Sequence, residues 1–284
     1  MNAVGRKATV IISVYNRMDF LRLVLAGFET QTEKNFEIII SDDGSDHAFT
    51  ESLQQLIKRT ALNIKHNWHP DIGFRKNLCL NNSVKMSAAP YLIFIDGDCI
   101  PHPSFVEEHL KNAEQGVCLV GRRVMLSKRI TAKLTAEAVS SGLMNSAKMQ
   151  LEMLWHYLTG RLFHFKKGLY FRNKWLRKFL NRKKNRGLLG SNFSLYKSDL
   201  LAVNGFDERY QTATYGEDVD IEMRLKLIGI RFKTLMNMAV QFHCYHELLE
   251  RPEESRLLYE LAEKEQKAFT SYGIEKNHGD QKYL

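Results

Sequence analysis

Asp96 and Asp98, with one glycine between them, directly follow the apolar run 91–95 (YLIFI), and they are the first chemistry this chain offers. On an extended backbone residues i and i+2 project to the same side, so the two carboxylates share a face. Such a pair suits a hard divalent cation, and Gly97 lets a ligand approach the backbone closely. A cation held there could bridge two phosphates and neutralise a leaving diphosphate. The competing reading is a capped turn with two solvated aspartates, and an isolated D-x-D would support no more. The apolar strand before it and the polar clusters elsewhere favour the metal.

Four further clusters each carry two readings. Asp42-Asp43, followed by Gly44-Ser45, could accept hydrogen bonds from a uracil N–H or a ribose hydroxyl, or could be an ordinary Asp-Gly turn. Arg75 and Lys76 follow Gly73-Phe74, where they could meet phosphates or simply fill a basic first helical turn. Glu217-Asp218 would open a helix, where acids stabilise the N-terminus, as Asp220 and Glu222 also could; a carboxylate there could equally take the proton from an attacking hydroxyl. His243 and His246 close a late strand and could ligate a manganese-class ion, but His47, His66, His69, His102 and His109 show that a histidine alone proves little.

Alternating strand and helix signals must position these groups. Runs 8–15, 36–41, 62–67 and 91–95 read as strands, the first, second and fourth buried. Between them lie a helix capped by Asp19, with Phe20, Leu21, Val24, Leu25 and Phe28 on one face, and helices near 48–59 and 75–86. This order implies a mainly parallel sheet, in which ligands bind beyond the carboxyl ends of the strands. Tyr15-Asn16-Arg17, Asp42 to Ser45, and Asp96 to Asp98 all fall at such ends. Beyond Gly187, 191–196 alternates like a half-buried strand, Ser198 caps a short helix ended by Asn204-Gly205, and 217–228 is a helix closed by Gly229. Strands follow at 230–235 and 239–243. A charged helix over 252–272 is expected to pack Leu257, Leu258, Leu261 and Phe269 on the body.

The 284 residues suffice for one large α/β domain, and 44% hydrophobic content supports a sizeable core. The opening residues lack the apolar core of a secretory signal and no run reaches the ~20 residues needed to span a bilayer, so a cytoplasmic protein is expected. Cys79, Cys99, Cys118 and Cys244 are scattered and read as buried free thiols. The net charge of +9 suits phosphate-bearing partners and is unevenly spread: 161–186 holds eleven Lys and Arg, and no acid occurs from 153 to 197. Within this stretch Leu151, Leu154, Trp155, Leu158, Leu162, Phe165, Leu169, Leu176 and Phe179 recur at steps of three and four, with Gly160 and Gly168 as breaks. Two readings stand level. One is a helical lid with its apolar face on the body; the other is a surface that meets anionic lipid through its aromatics and cations, Arg182, Lys183, Lys184 and Arg186 among them.

The blocks VIISVYNR, SDDGS, GFRKN, YLIFIDGDCIPHPSF and YGEDVDIEMRLKLIGIRF resemble, in that order, the signature blocks of family 2 glycosyltransferases with the GT-A fold. The first four cover about 8–125; the part from 187 to 247 resembles the segment shared with galactosyltransferases and bacterial chondroitin-type polymerases, while 127–186 matches neither. The resemblance implies an α/β GT-A fold: a Rossmann-like, mainly parallel sheet flanked by helices, with a helical basic insertion. Residues 1–126 would bind the nucleotide-sugar, 127–186 form the insertion, and 187–284 supply the acceptor and catalytic part with a C-terminal helix. It also implies roles. Ser13 and Tyr15, with Arg17 beside them, contact the nucleotide; Asp43 reads uracil, with Asp42 as its neighbour; Arg75 lies near base and phosphates. Asp96 faces ribose and metal, Asp98 ligates the metal, and His243 completes the site, His246 being its substitute. Glu217 orients the acceptor and Asp218 is the general base. Two departures are Leu80, where the family often has arginine before the asparagine aligned with Asn81, and Thr214-Tyr215-Gly216 in place of Trp-Gly-Gly.

One base and a metal-stabilised leaving group support a single displacement that inverts the anomeric centre. The expectation is a UDP-sugar donor, a carbohydrate acceptor, in particular a lipid-linked glycan of lipopolysaccharide or capsule synthesis, Mn2+ or Mg2+ as cofactor, and a peripheral position on the cytoplasmic face of the membrane. A sugar-nucleotide nucleotidyltransferase would carry a Gly-rich, Arg/Lys-containing loop after its first strand, where this chain has Ser13 to Arg17. A basic nucleic-acid-binding module finds no zinc, helix-turn-helix or RNA-recognition signature.

Overall fold

The Ile- and Val-rich runs form strands buried on both faces: β1 (Ala8–Val14), β2 (Phe36–Asp42) and β4 (Tyr91–Asp96), with β3 (Ile64–Trp68) outside them. This computed structural model describes residues 7–171, 173, 175, 187–212, 217–247 and 254–276, and of Glu217 only the backbone. With β6 (Val117–Val120), β8 (Asn192–Tyr196) and β9 (Arg231–Thr234) these strands make a seven-stranded sheet of order β3-β2-β1-β4-β8-β6-β9. β3, β2, β1 and β4 run parallel, β8 is antiparallel to β4 and β6, and β9 is parallel to β6. The sheet is mainly parallel, as expected. β8 was expected to be half-buried; it is covered on both faces because it lies centrally, between β4 and β6.

Successive residues of each strand feed opposite layers. Val10, Ile12, Ile38 and Ile40 meet α1 (Met18–Glu29) and α2 (His47–Ile57) through Leu21, Val24, Leu25, Phe28, Phe49 and Leu53. Ile11, Ile39, Leu92 and Phe94 meet α3 (Lys76–Met86), α8 (Lys197–Leu201) and α9 (Glu217–Leu227) through Leu80, Val84, Leu200, Ile221 and Leu225. The Phe94 and Phe193 rings stack at 4.5 Å across β4 and β8. Asp19 does not cap α1: the cap position is Arg17, and Asp19 lies in the first turn with both oxygens on the Arg17 guanidinium. Ser198 likewise sits inside α8, whose cap is Tyr196.

A second sheet was not foreseen. β5 (Cys99–Pro101), β10 (Val240–His243) and β7 (Arg122–Met125) lie in the order β5-β10-β7, with β10 antiparallel to β5 and parallel to β7. A third core joins this sheet to α1 and to the following segment: Phe20, Leu23, Ile100, Val124 and Phe242 pack with Met149, Met153, Leu162 and Phe165. After β7 that segment holds the short helices α5 (Lys128–Thr131) and α6 (Ala136–Ser140) and the longer α7 (Ala147–Leu158), whereas α4 (Phe105–Lys111), upstream, packs Phe105 and Val106 in the first core.

The apolar residues of 151–169 do not share one face. α7 turns Met149, Met153 and His156 inward and Leu151, Leu154, Trp155 and Leu158 outward; it stops before Gly160 at φ +70°, and Leu162 and Phe165 enter the core only after that turn. Leu176, Phe179, Arg182, Lys183, Lys184 and Arg186 lie outside the described residues. In the tail, α10 (Glu254–Glu265) leaves Leu257, Leu261 and later Phe269 exposed. Leu258 is half-buried, and the firm anchor lies farther on, where Ile274 packs on the second core and Asn204 donates to the Thr270 carbonyl at 2.7 Å and accepts from the Glu275 N–H at 2.7 Å. Among the described residues no helix is long and apolar enough to cross a membrane, and all four cysteines are free and buried.

Candidate functional site

Register brings three clusters level. Val14 pairs with Asp42 across β1 and β2, and Ser13 pairs with Asp96 across β1 and β4. The chain leaves β1 toward β2 on one side and returns at β4 on the other, so β1 and β4 flank the topological switch point of the sheet, where ligands bind in such folds. Gly97 closes the junction. Its N–H donates to the Ser13 carbonyl at 2.8 Å, and a Cβ there would sit 2.6 Å from Val14 Cγ1. The fold itself, and not a ligand, therefore uses the missing side chain. Beyond Gly97 the chain passes into β5 of the second sheet, and Asp98 stands at the crossing.

The second sheet supplies the histidines. His243 Nε2 lies 3.3 Å and His246 Nε2 3.0 Å from Asp98 Oδ2, with the two rings 5.0 Å apart. Burial works to raise the Asp98 carboxyl, but the hydrogen bond with His246 and the charge of His243 outweigh it and hold it down to about 2. The hydrogen bond with Asp98 raises His246, whereas burial lowers His243. One carboxylate and two imidazoles form a donor set suited to manganese-class ions, and the buried Nδ1 of His243 has no hydrogen-bond partner among the described residues. Cys99 lies within the same group: its ligating atom and those of Asp98 and His243 are all within 4.8 Å of one another. These residues fit a divalent cation. Asp96 faces Lys76 Nζ at 3.7 Å and Arg123 Nη1 at 3.8 Å, so cations already flank the first acid of the pair.

On the far side of β1, the two acids after β2 part company. Asp42 is wholly buried, with Oδ1 accepting from the Ser45 N–H at 2.9 Å and Oδ2 2.9 Å from His66 Nε2; it braces the turn instead of facing a ligand. Asp43 accepts the Arg75 N–H on both oxygens and lies 3.1 Å from His69 Nε2; burial raises its carboxyl. This ties the turn after β2 to the start of α3, whose cap position is Arg75. Tyr15 is exposed and donates to Asp71 Oδ2 at 2.9 Å. Arg17 stands apart from this group: its guanidinium is held by Asp19, lies 3.6 Å over the Phe20 ring, and next feels the charge of Asp98.

Asp218, in the first turn of α9, lines one cleft with Ser13, Lys76, Asn77, Phe94 and Gly190. Gly190 N–H donates to its Oδ2 at 2.8 Å, and a Cβ on Gly190 would lie 2.1 Å from its Oδ1, so only glycine lets this carboxylate sit against the backbone. Glu217 is the first residue of the helix, and its side chain lies outside the described residues, as do Tyr215 and Gly216. Asp220 serves structure, paired at 2.7 Å with Arg224, which also donates to the carbonyls of Val203 and Gly205. Arg123 and Cys99 were missed as site residues. The pair Arg122-Arg123 after the buried run 117–120 was the available signal for the first; only the second sheet reveals the other.

Comparisons with known proteins agree with this geometry. The model of glycosyl transferase family 2 matches residues 9–183, and that of the N-terminal domain of galactosyltransferase matches 173–247. Validoxylamine A glucosyltransferase of Streptomyces hygroscopicus subsp. jinggangensis is 31% identical over 36% of this chain and 24% of its own length. Hyaluronan synthase of Pasteurella multocida is 23% identical over 80% of this chain and 23% of its own. The chain thus spans about a quarter of the length of these curated relatives. Among solved structures, GalNAc-T7 with UDP, GalNAc and Mn2+ superposes at TM-score 0.60 with 14% identity, covering 88% of this chain and 45% of that one. S. aureus TarS 1-349 with UDP-GlcNAc gives 0.58 and 16%, covering 91% and 66%. The mannosyltransferase PcManGT of Pyrobaculum calidifontis with GDP-Man and Mn2+ gives 0.53 and 13%, covering 86% and 59%. These likenesses show the GT-A fold, and with the family match covering more than half of its residues, the chain belongs to the family 2 glycosyltransferases.

Proposed function

We propose that this glycosyltransferase is inverting and divalent-metal dependent, and that it moves a sugar from a UDP-sugar to a hydroxyl of a carbohydrate acceptor. The observation that carries the reading is Asp98 set between His243 and His246, two residues beyond Asp96, which borders through Ser13 and Lys76 the cleft that Asp218 lines. UDP is preferred as donor because the neighbours solved with UDP or UDP-GlcNAc align at the higher TM-scores and because Asp43, fixed by Arg75, offers carboxylate oxygens to a uracil N–H.

Each group has a task in this scheme. Ser13, Tyr15, Asp43 and Arg75 hold the nucleotide, with Asp42 and Arg17 acting at one remove by bracing the turns around them. Asp96 faces the ribose and, with Asp98, His243 and His246, holds Mn2+ or Mg2+. When bound, the cation stabilises the charge of the leaving diphosphate. Lys76 and Arg123, both close to Asp96, add positive charge on the same side. Asp218, fixed by the Gly190 N–H, takes the proton from the acceptor hydroxyl, and Glu217 orients the acceptor. A single base opposite a single leaving group gives one displacement and an inverted, β-linked product. The acceptor is proposed to be a lipid-linked glycan of polysaccharide synthesis, such as lipopolysaccharide or capsule, and the enzyme to work peripherally on the cytoplasmic face of a membrane. The test is a donor screen with purified protein and Mn2+, free nucleotide as readout, and the anomeric proton coupling of the product. An α-linked product, or turnover unaffected by chelator, overturns the scheme.

A further inference from the structure

The outward stripe of α7 is out of place on a soluble surface. Leu151, Trp155 and Leu158, with Phe163 just beyond the helix, are each at least 62% exposed, and Leu154 lies between them. Isolated exposed apolar residues need no explanation, but a contiguous row marks an interaction site. The helix has a core-facing side of its own, made of Met149, Met153 and His156, so the row is not a core face left uncovered by chance.

The surroundings identify the partner. Lys148, Arg161 and Lys166 are exposed near the two ends of the row, Glu152 of the same helix is paired with Lys133 at 2.6 Å, and the sequence carries no acid from 153 to 197. A large apolar side chain flanked by cations, with a tryptophan among them, suits an anionic bilayer: the apolar groups enter the headgroup boundary and the cations meet lipid phosphates. A second copy of the same face is disfavoured, because two such basic surfaces repel. The row is also placed next to the active site. Phe163 bridges to Met125 on β7, and Met125 is level with His243 on β10. Two strand spacings, roughly 10 Å, therefore separate Phe163, at the end of the apolar row, from His243.

We infer that the outer face of α7, together with Phe163, Lys148, Arg161 and Lys166, docks on an anionic lipid surface and sets the mouth of the cleft against the membrane, where a lipid-linked acceptor arrives. Delivery of the acceptor rests on the glycosyltransfer scheme above; the docking itself does not. The experiment is co-sedimentation of the full chain with phosphatidylglycerol and with phosphatidylcholine vesicles at low and high salt. Trp155→Ser with Leu158→Ser should weaken binding to the anionic vesicles at least tenfold, with an unchanged melting temperature since both side chains are exposed. Arg161→Ser with Lys166→Ser should weaken it at low salt only, by roughly fivefold per cation. Brominated lipid should quench tryptophan fluorescence in the wild type, and Trp155→Phe should lose most of that quenching. Equal binding to both vesicles at low salt, or undiminished binding by the Trp155/Leu158 variant, overturns the inference. So does a wild-type dimer that this variant converts to monomer in sedimentation velocity. None of these failures touches donor turnover with a soluble acceptor, which tests the scheme separately.

Discussion

The contact between Gly190 and Asp218 gives the sharpest test of the proposed base. Asp218→Asn keeps the size of the side chain, and its amide oxygen can still accept the Gly190 N–H that lies 2.8 Å from the carboxylate. The fold and the cleft should therefore survive, while proton acceptance is lost. General-base catalysis contributes about 100-fold or more, which is about 2.7 kcal/mol of barrier. Gly190→Ala attacks the same group from the backbone side. Its Cβ would lie 2.1 Å from Oδ1 and 2.8 Å from Cγ of Asp218, distances no real Cβ tolerates, so the carboxylate must swing away from the N–H. A hydrogen bond to a charged group is worth about 1.5–3 kcal/mol, and the half-exposed position of Asp218 favours the lower figure. Turnover should then fall about tenfold. Because both changes disable one group, the double variant should be little slower than Asp218→Asn alone. The assay is nucleotide release at saturating donor and acceptor, with nucleotide affinity measured beside it. Asp218→Asn within threefold of wild type, or a double variant showing the full product of the two single losses, would refute the reasoning. A collapse of nucleotide affinity in Asp218→Asn would make the residue structural.

Three further outcomes are expected. Asp98→Ala removes the carboxylate between His243 and His246, so turnover should be abolished and Mn2+-dependent nucleotide affinity lost; isothermal titration of Mn2+ plus UDP reads the second effect without turnover. Gly97→Ala forces a methyl to within 2.6 Å of Val14 Cγ1 and 2.9 Å of the Ser13 carbonyl, and overpacking of this kind should cost about 1–3 kcal/mol, read as a lower denaturation midpoint. His109 is wholly buried between Ser194 and Asn192, and burial depresses its pKa from 6.5 to about 3. A depressed histidine protonates more readily unfolded than folded, so its contribution to stability is complete above pH 6.5 and is lost as pH falls from 6.5 toward 3, at up to about 1.4 kcal/mol per unit. His109→Gln should flatten the fall in melting temperature between those limits; an unchanged slope would show that other groups govern it.

The parallel half of the sheet was legible because its strands carry their own signature. β1, β2 and β4 are β-branched runs buried on both faces, each stopped by a polar turn, and nothing distant is needed to form them. The same turns hold Tyr15, Asp43, Asp96 and Asp98, so the acids to which the proposed scheme gives the nucleotide and the metal were visible with them. The second sheet was hidden for the opposite reason. β10 was legible as the strand read at 239–243, but its partners were not: β5 has three residues and β7 four, too short for a period to emerge, and the sheet exists only because they pair with β10 across more than a hundred residues of chain. Arg123 and Cys99 were lost with them. In 151–169 the spacing of leucines suggested one apolar face with Gly160 as a break; the helix does stop before Gly160, but the residues on either side of it answer to different partners, Leu158 to solvent and Leu162 to the core.

The two sheets divide the chemistry between them. The large sheet ends at Ser13, Asp43 and Asp96, which face the nucleotide in the proposed scheme, and the small sheet brings His243, a metal ligand in that scheme, and Arg123, whose guanidinium lies 3.8 Å from Asp96. Asp98 lies where the chain leaves one for the other, with its backbone carbonyl accepting the Cys244 N–H and its carboxylate facing both histidines. A cation bound there would tie the sheets together at their junction, so metal binding should stiffen the joint as well as charge the site. The small sheet continues outward through Met125 to Phe163 and the exposed row of α7. Phe163, at the end of that row, is thus joined to the strand of His243 by backbone pairing through Met125. If α7 docks on lipid, the histidine side of the proposed metal site is the side that Phe163 and Met125 tie to the docked face.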